Sequence, residues 1–185
     1  MMIPVDDTAS NDDLDGLRVV AHPLRLRLLS LLTGDSLSAA EAARALGETQ
    51  ANVSYHLRRL AQAGLVELVE ETRIRGGVAK RYRHDPASGE SLRSGDQECH
   101  VFLMAAMSRQ LQRRAQHYVA ESELVFTDAE VWVPADAWAQ IRELARELGT
   151  VIHDAAQPRR EGLVRVGATV AMFEMDGPAP DADGS

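Results

Sequence analysis

The segment 37–64 has the clearest hydrophobic pattern in the chain, and this pattern predicts two short helices joined by a tight turn. In the first helix, Ser38 can accept from a backbone N–H three residues later, and Glu41 can return the bond, which completes a capping box. Gly47 supplies a left-handed stop. The first helix is therefore expected over residues 38–46.

The second helix is expected from residue 48 or 49 to residue 63, and Gly64 again supplies the stop. Its apolar residues follow the i, i+4, i+7 spacing of a core-facing stripe: Val53, Leu57 and Leu60. The opposite side of the helical wheel carries Gln50, Ala51, Ser54, Tyr55 and Arg58. Amide, hydroxyl and guanidinium groups suit base edges in the major groove of DNA. A solvated polar surface explains the same pattern, so these residues alone leave both interpretations open.

Helices are also expected before this segment, and a hairpin after it. A short helix over 14–21 is followed by a second one at 23–32, whose first turn accommodates Pro23. Apolar residues over 65–70 and 78–83 indicate two strands around a Gly-Gly turn. Four basic residues of the hairpin are candidates for DNA contact: Arg73, Arg75, Lys80 and Arg81. Beside a helix in the groove, these side chains would contact phosphates, which position a protein without reading sequence.

Beyond the hairpin, a linker and a long helix are expected over 87–123, with the helix itself from about residue 95 to residue 121. Its apolar residues form a loose stripe: Val101, Met104, Ala105, Leu111, Ala115, Tyr118 and Val119. One helix cannot bury such a stripe alone. The long helix must therefore pack on a partner or fold back on its own domain.

The pattern over 124–175 indicates a small α+β appendage. Short strands or extended segments are expected at 125–126 and 131–133, a helix over 134–154, and a strand over 164–172, where apolar residues alternate. The appendage holds four of the chain's eight aromatic residues: Phe126, Trp132, Trp138 and Phe173. They could line a cleft for a small-molecule effector. The core of a small α+β unit explains them better.

Four motifs occur in an order and at a spacing that resemble the ArsR-type family of winged helix-turn-helix transcriptional regulators. They are AHPLRLRLL, AAEAARALG, NVSYHLRRLAQAGLV and RYR, all between residues 12 and 85, under half of the chain. The resemblance implies a homodimer that binds double-stranded DNA at a two-fold symmetric operator. It also implies groove contacts by Gln50, Ala51, Ser54 and Tyr55, and a dimer interface built by the helix after the wing. Repression and activation are equally compatible with these motifs.

The predicted architecture is a mostly α, α+β fold in five parts. These are an acidic tail (1–11), a winged helix-turn-helix domain (12–86), a linker and dimerisation helix (87–123), the appendage (124–175) and a second acidic tail (176–185). The net charge of −8 would oppose DNA binding if it were spread evenly. Nine carboxylates near the two ends account for it, and residues 16–173 carry a net charge of +1. The composition is therefore compatible with a DNA-binding body between two disordered tails.

Metal sensing is the main alternative, because some ArsR-like proteins bind metals. The single cysteine, Cys99, excludes an internal disulfide and a multi-thiolate site. A His/carboxylate site on the dimer helix would use Glu98, His100, His117 and Glu121, with the last two at i, i+4 on one helix face. The spacing from His100 to His117 does not match that expected for such a site. We therefore expect no metal and no other cofactor.

Catalysis and membrane insertion have no support in the sequence. No phosphate-binding glycine loop, nucleophile elbow or HExxH motif is present, so we expect no enzyme. The longest apolar run, 101–107, is too short to span a bilayer, and the acidic N-terminus lacks the basic and apolar regions of a signal peptide. A cytoplasmic protein is expected. A winged-helix protein-interaction module remains the third interpretation, and the basic residues near the second helix argue against it.

Overall fold

The computed structural model describes residues 17–74, 77–84, 88 and 97–176. The elements in chain order are α1 (residues 17–20 of it), α2 (Pro23–Leu32), β1 (Leu37–Ser38), α3 (Ala39–Leu46), α4 (Gln50–Gln62), β2 (Val66–Ile74), β3 (Gly77–His84), α5 (Gln97–Ala115) and α6 (Ala135–Ala155). Three of the helices, α2 to α4, and the three strands form a winged helix-turn-helix domain, as the sequence pattern predicted.

Each helix boundary in this domain follows from a local signal. Nδ1 of His22 accepts from the backbone N–H of Leu24 at the start of α2. Ser38 and Glu41 form the predicted capping box of α3. Gly47, at φ +68°, ends α3 in the left-handed region, where a side chain would be strained. The caps and the turn are therefore set by residues within a few positions of each helix end.

A closed apolar core fixes α4 against the rest of the domain. The three predicted inward residues of α4, Val53, Leu57 and Leu60, are fully buried. They pack with Leu28 and Leu32 of α2, which are also fully buried. Because each such side chain contributes roughly 1.5–3 kcal/mol on burial, this cluster orients α4 and leaves only its other side available to a partner.

The sheet attaches the hairpin to the helices. Its strand order is β1-β3-β2, both pairs are antiparallel, and Leu37 lies opposite Tyr82. Tyr82 is buried and joins the helical core. A bulge interrupts the register between Leu68 and Glu70, which increases local twist. The Gly76 half of the predicted hairpin turn lies outside the described residues, whereas the two strands that flank it are confirmed.

Helix α5 packs on α2 and is shorter than predicted. It ends at Ala115 rather than near residue 121. The side of α5 that faces the domain carries Cys99, Ala106 and Gln110, all buried, and Nε2 of Gln110 donates to the carbonyl of Pro23. The predicted stripe instead has its larger members exposed: Val101, Leu111, Tyr118 and Val119. The helix therefore uses one face on its own domain and leaves a second apolar face open.

The C-terminal region, residues 118–176, contains α6 and extended segments. Helix α6 begins after Pro134, as predicted, and its least exposed residues repeat at helical spacing: Trp138, Ile141, Ala145 and Ile152. No residue of α6 is fully buried. The strand predicted over 164–172 does not form within the described chain, and residues 125–126 and 131–133, where short strands or extended segments were expected, form no strand either. Alternation makes a strand only when a neighbouring strand supplies the hydrogen bonds, and no such neighbour lies beside these segments.

No helix among the described residues is both long enough and apolar enough to cross a membrane.

Candidate nucleic-acid interface

Helix α4 presents a polar side away from the core. Gln50, Ala51, Tyr55 and Arg58 are exposed, and Tyr55 keeps 52% of its surface accessible. Ser54 is half-buried, so its hydroxyl lies at the margin of this face rather than at its centre. The structure thus brings together all five residues that the helical wheel predicted. We call them the recognition face: Gln50, Ala51, Ser54, Tyr55 and Arg58.

The N-terminus of α4 is also accessible. Thr49 caps the helix by accepting from the backbone N–H of Asn52, and both residues are exposed. In helix-turn-helix proteins, the N-terminal residues of the second helix contact base edges. Asn52 was not among the predicted contact residues, although its amide is of the type that pairs with adenine. Its position in the first turn was the available signal.

A histidine pair fixes α4 against the start of α2. The rings of His22 and His56 lie 4.6 Å apart between centroids, and His56 is 6% exposed. Burial lowers the pKa of both imidazoles, and the positive charge of Arg25 lowers them further. The ring of Tyr55 meets His56 edge-on at 5.1 Å. The ring of Tyr55 therefore packs against a neutral, buried imidazole.

Two arginine side chains, Arg25 and Arg59, lie close to this histidine pair. The guanidinium of Arg25 donates to the carbonyl of Arg18 at 3.0 Å. Burial and the nearby charge of Arg59 lower the pKa of Arg25, and Tyr55 acts in the opposite direction. Two like charges held close together are stabilised by an anion between them. Arg25 and Arg59 thus form a basic rim along α4.

The wing contributes exposed basic groups. Arg73 lies exposed on β2, near the hairpin tip. Lys80 is exposed on β3, and its ammonium lies 2.9 Å from a carboxylate oxygen of Glu71, which raises the pKa of Lys80. An exposed pair of this kind is weak, so Lys80 can exchange Glu71 for another anion. Arg75 lies outside the described residues.

Arg81 has a role inside the fold. Its Nη1 donates to both carboxylate oxygens of Glu41, at 3.0 and 2.9 Å, and its Nη2 donates to the carbonyl of Ser36. The hydroxyl and backbone N–H of Ser38, followed by Arg81, lower the pKa of Glu41 from 4.5 to about 2. Arg81 therefore fixes β3 to the start of α3. Phosphate contact by Arg81 stays a prediction, and most of its donors are already engaged.

Arg27 performs a similar task at the turn between α3 and α4. Its Nη2 donates to the carbonyl of Leu46 at 2.6 Å, and its Nη1 lies 3.3 Å from a carboxylate oxygen of Glu48. The other oxygen of Glu48 accepts from the amide of Asn52. These contacts stabilise the turn that sets the angle between the two helices.

The histidine and carboxylate candidates for a metal do not share one helix. His117 and Glu121 lie beyond the end of α5 at Ala115, so the predicted i, i+4 arrangement on that helix is wrong. His100 lies in the first turn of α5, about four turns from its C-terminal end at Ala115. No cluster of three His, Cys, Asp or Glu residues with metal-binding geometry occurs in the described part of the chain. Cys99 is 1% exposed, and Nε of Arg18 donates to its sulfur at 3.3 Å.

One family model and several solved structures match part of the chain. The sequence model of a family described as a helix-turn-helix domain matches residues 20–69. A structure of a possible transcriptional regulator for arsenical resistance is 29% identical, covers 57% of this chain and 98% of its own, and has a TM-score of 0.38. No curated protein matches the chain.

Two further solved structures are similar in part. One is the homodimeric winged helix-turn-helix domain of a possible ArsR-family transcriptional regulator from Mycobacterium bovis, with 22% identity, coverage of 66% and 100%, and a TM-score of 0.37. Another is a protein with a GntR-superfamily winged-helix-turn-helix domain from Halomicrobium mukohataei, with 23% identity, coverage of 65% and 84%, and a TM-score of 0.39. The segment 20–69 thus matches the sequence model of a helix-turn-helix domain family, and its motifs resemble those of the ArsR-type transcriptional regulators.

Proposed function

We propose that this protein is a DNA-binding transcriptional regulator that reads a two-fold symmetric operator as a homodimer. The observation that carries the proposal is the recognition face of α4. Gln50, Tyr55 and Arg58 of this face are exposed, while Val53, Leu57 and Leu60 on the opposite side are fully buried. A helix held this way can enter the major groove without any loss of core contacts.

The charges around α4 support the same proposal. Arg25, Arg58 and Arg59 lie on or beside α4, and Arg73 and Lys80 lie on the wing. Phosphate contacts by such residues release counterions and supply affinity that does not depend on sequence. The recognition face would then supply discrimination between sequences, at roughly 1–3 kcal/mol for each good base contact. Affinity and specificity are therefore assigned to different residues.

The open face of α5 supports the homodimer. Val101, Phe102 and Leu111 are 61%, 55% and 56% exposed, on a helix whose opposite side packs on α2. To bind one operator, two copies joined through this face must present their α4 helices on the same side of the assembly. For consecutive major grooves, the two helices must lie about 34–36 Å apart. The second half-site then binds at a high effective concentration, which raises operator affinity.

A small-molecule effector stays a prediction. Phe126 and Trp132 are each 79% exposed, so within one chain they line no enclosed cleft. Regulation by any ligand would have to change the spacing of the two α4 helices, because a ligand with equal affinity for both states shifts nothing. No observation favours metal sensing or a protein-interaction module over DNA binding.

The test is a binding series on an operator selected from random DNA. Ser54→Ala combined with Tyr55→Ala should reduce the preference for operator over random DNA by about 1–3 kcal/mol for each lost base contact. Arg73→Ala should weaken binding to both DNAs alike and reduce the salt slope by nearly one unit. Fluorescence anisotropy across a salt series measures both quantities.

A matched control lies on the same helix. Gln50 and Gln62 are both exposed, at the first and last positions of α4. Gln50→Ala should lower the operator preference, and Gln62→Ala should leave it unchanged because the end of α4 lies away from the groove. If Ser54→Ala with Tyr55→Ala kept the full operator preference, the recognition face would be assigned wrongly.

A further inference from the structure

The C-terminal region exposes far more apolar surface than a folded chain normally leaves in water. Between residues 118 and 176, eighteen large apolar side chains are 41–85% exposed. They lie mainly on two extended segments, 124–133 and 163–175, and on α6. An apolar surface of this size marks an interaction site. The question is what covers it.

The second segment is already held in place by its own chain. Nη1 of Arg114 donates to Oγ1 of Thr169 at 2.8 Å and also to the carbonyl of Ala168. Near the other end, Nε1 of Trp138 donates to Oε1 of Glu174 at 2.6 Å. The segment therefore runs back along α6 from its C-terminal end towards its first turn. It contains no helix or strand and is anchored at two points, yet its apolar residues remain exposed.

We propose that the extended segments 124–133 and 163–175 form a β-sheet with the same segments of a second copy of this chain. This inference deepens the proposed function, because it names what covers the C-terminal region in the homodimer. The open backbone edge of an extended segment is a template for pairing with another chain. In a two-fold assembly every such pair forms twice.

Charge favours a second copy as the partner. The stretch 118–133 contains four carboxylates and no lysine or arginine: Glu121, Glu123, Asp128 and Glu130. The stretch 158–166 contains three arginines and one carboxylate: Arg159, Arg160, Arg165 and Glu161. The acidic stretch of one copy complements the basic stretch of the other, which sets partner and register. The chain therefore carries both halves of a self-complementary surface.

The area is also sufficient for a stable dimer. Such an interface buries about 800 Å² on each partner. Phe126 and Trp132, each 79% exposed, would together bury roughly 250–400 Å² when covered. Val125 and Val164, each 85% exposed, and the remaining apolar side chains of the region supply the rest. The exposed face of α5, with Tyr118 and Val119 just beyond its end, leads directly into the first segment.

Hydrogen–deuterium exchange on the full chain, combined with measurement of its mass in solution, tests the inference. In a species of two chains, the amides of 124–133 and 163–175 should exchange about 100-fold more slowly than in an unstructured peptide. Dilution should remove this protection together with the two-chain mass, while the amides of α2 to α4 remain protected. Val164→Glu with Val166→Glu should remove the protection of the two segments without dilution, whether or not the face of α5 still joins the two chains. The matched control, Val69→Glu with Val78→Glu on the wing, should leave the two segments protected.

Several outcomes would overturn the inference. Protection in a species of one chain would mean that the segments are covered within their own chain. A two-chain species of the unmodified protein without protection in these segments would overturn the inference and leave the α5 face as the whole interface. Protection that persists in Val164→Glu with Val166→Glu would also overturn it. Protection that requires another protein would replace the second copy with that protein. Operator binding is measured on the same samples, so the failure of this inference and the failure of DNA binding are distinguished.

Discussion

The winged domain buries most of its large apolar side chains in a core, whereas the C-terminal region leaves most of its large apolar side chains exposed. In the winged domain, Leu28, Leu32, Val53, Leu57 and Leu60 are all at 0% exposure. In α6, which is longer than any helix of the winged domain, no residue is buried. Both regions have the helical periodicity of an amphipathic segment. Periodicity therefore predicts which residues share a face, and it does not say whether the same chain covers that face.

The difference separates two kinds of stability. The winged domain closes its core with its own helices and strands, so its folding should depend little on protein concentration. The C-terminal region keeps its shape through a few polar contacts, such as those of Arg114, and through a ring contact in which His153 lies 5.4 Å from His84. Its apolar contribution to stability must come from a partner, and stability gained by association rises with concentration.

The largest expected effect comes from a leucine-to-alanine substitution, which can be made in each of the two regions and compared. Leu57→Ala removes a fully buried side chain and should lower the free energy of unfolding by about 2–5 kcal/mol. Leu148→Ala, at a side chain that is 47% exposed, should cost under about 1 kcal/mol in dilute protein. Chemical denaturation measures both. Equal costs at low concentration would mean that the single chain buries α6 after all, and a Leu148→Ala cost that grows with concentration would sharpen the comparison.

A smaller effect depends on pH. Because the pKa of Glu41 falls from 4.5 to about 2 on folding, its ionised form stabilises the fold fully above pH 4.5, and this contribution is lost as the pH falls towards 2. Glu41→Gln should cost about 1–2 kcal/mol at pH 7. The difference from the unmodified protein should shrink below pH 4.5. Denaturation curves from pH 7 to pH 3 provide the measurement.

Glu174 offers the matching control in the C-terminal region. It accepts from Trp138 on the surface, so Glu174→Gln should change stability by less than about 0.5 kcal/mol at any pH in that range. A Glu41→Gln cost that stayed constant down to pH 3 would contradict the role given to the ionised carboxylate.

The smallest effect comes from a glycine-to-alanine substitution in each region. The two substitutions should change stability in opposite directions. Gly47→Ala places a side chain at φ +68° and should destabilise the protein by about 1 kcal/mol. Gly149 lies within α6, and a Cβ added there would meet nothing within 4 Å. Gly149→Ala should therefore stabilise the protein by about 0.5–1 kcal/mol, because alanine favours helix. Thermal unfolding distinguishes the two, and a loss at both positions would show that another chain packs closely on Gly149.

The winged domain could be predicted from the sequence because its signals are local. Ser38 and Glu41 are three residues apart, Gly47 ends its own helix, and Val53 and Leu57 are one helical turn apart. Each signal comes from residues that are close together in the sequence, so the residues that form the pattern also interact in the structure. The recognition face follows directly, since it is the side of α4 that the apolar residues do not use.

The remaining features depend on residues distant in the chain. The wheel and the strand pattern placed Arg81 among the outward basic residues, but its main partner is Glu41, forty positions earlier. The two-residue strand β1 has no periodicity to detect, and it is defined only by pairing with β3. The helix α5 was predicted to extend to residue 121, yet it ends at Ala115, where Arg114 turns to contact Thr169. Such contacts leave no local pattern.

The contacts of Arg81 have a consequence for how a bound duplex would be selected. They fix β3 at Arg81 to the first turn of α3, which restricts movement of the base of the wing relative to the helices. In the proposed complex, the protein then sets the distance between the side chains that contact the major groove and those that contact the DNA backbone. The duplex must adapt to this distance by bending or by changing its groove width. The free energy that this deformation requires depends on the DNA sequence. Operator choice would therefore extend to base pairs that no side chain touches.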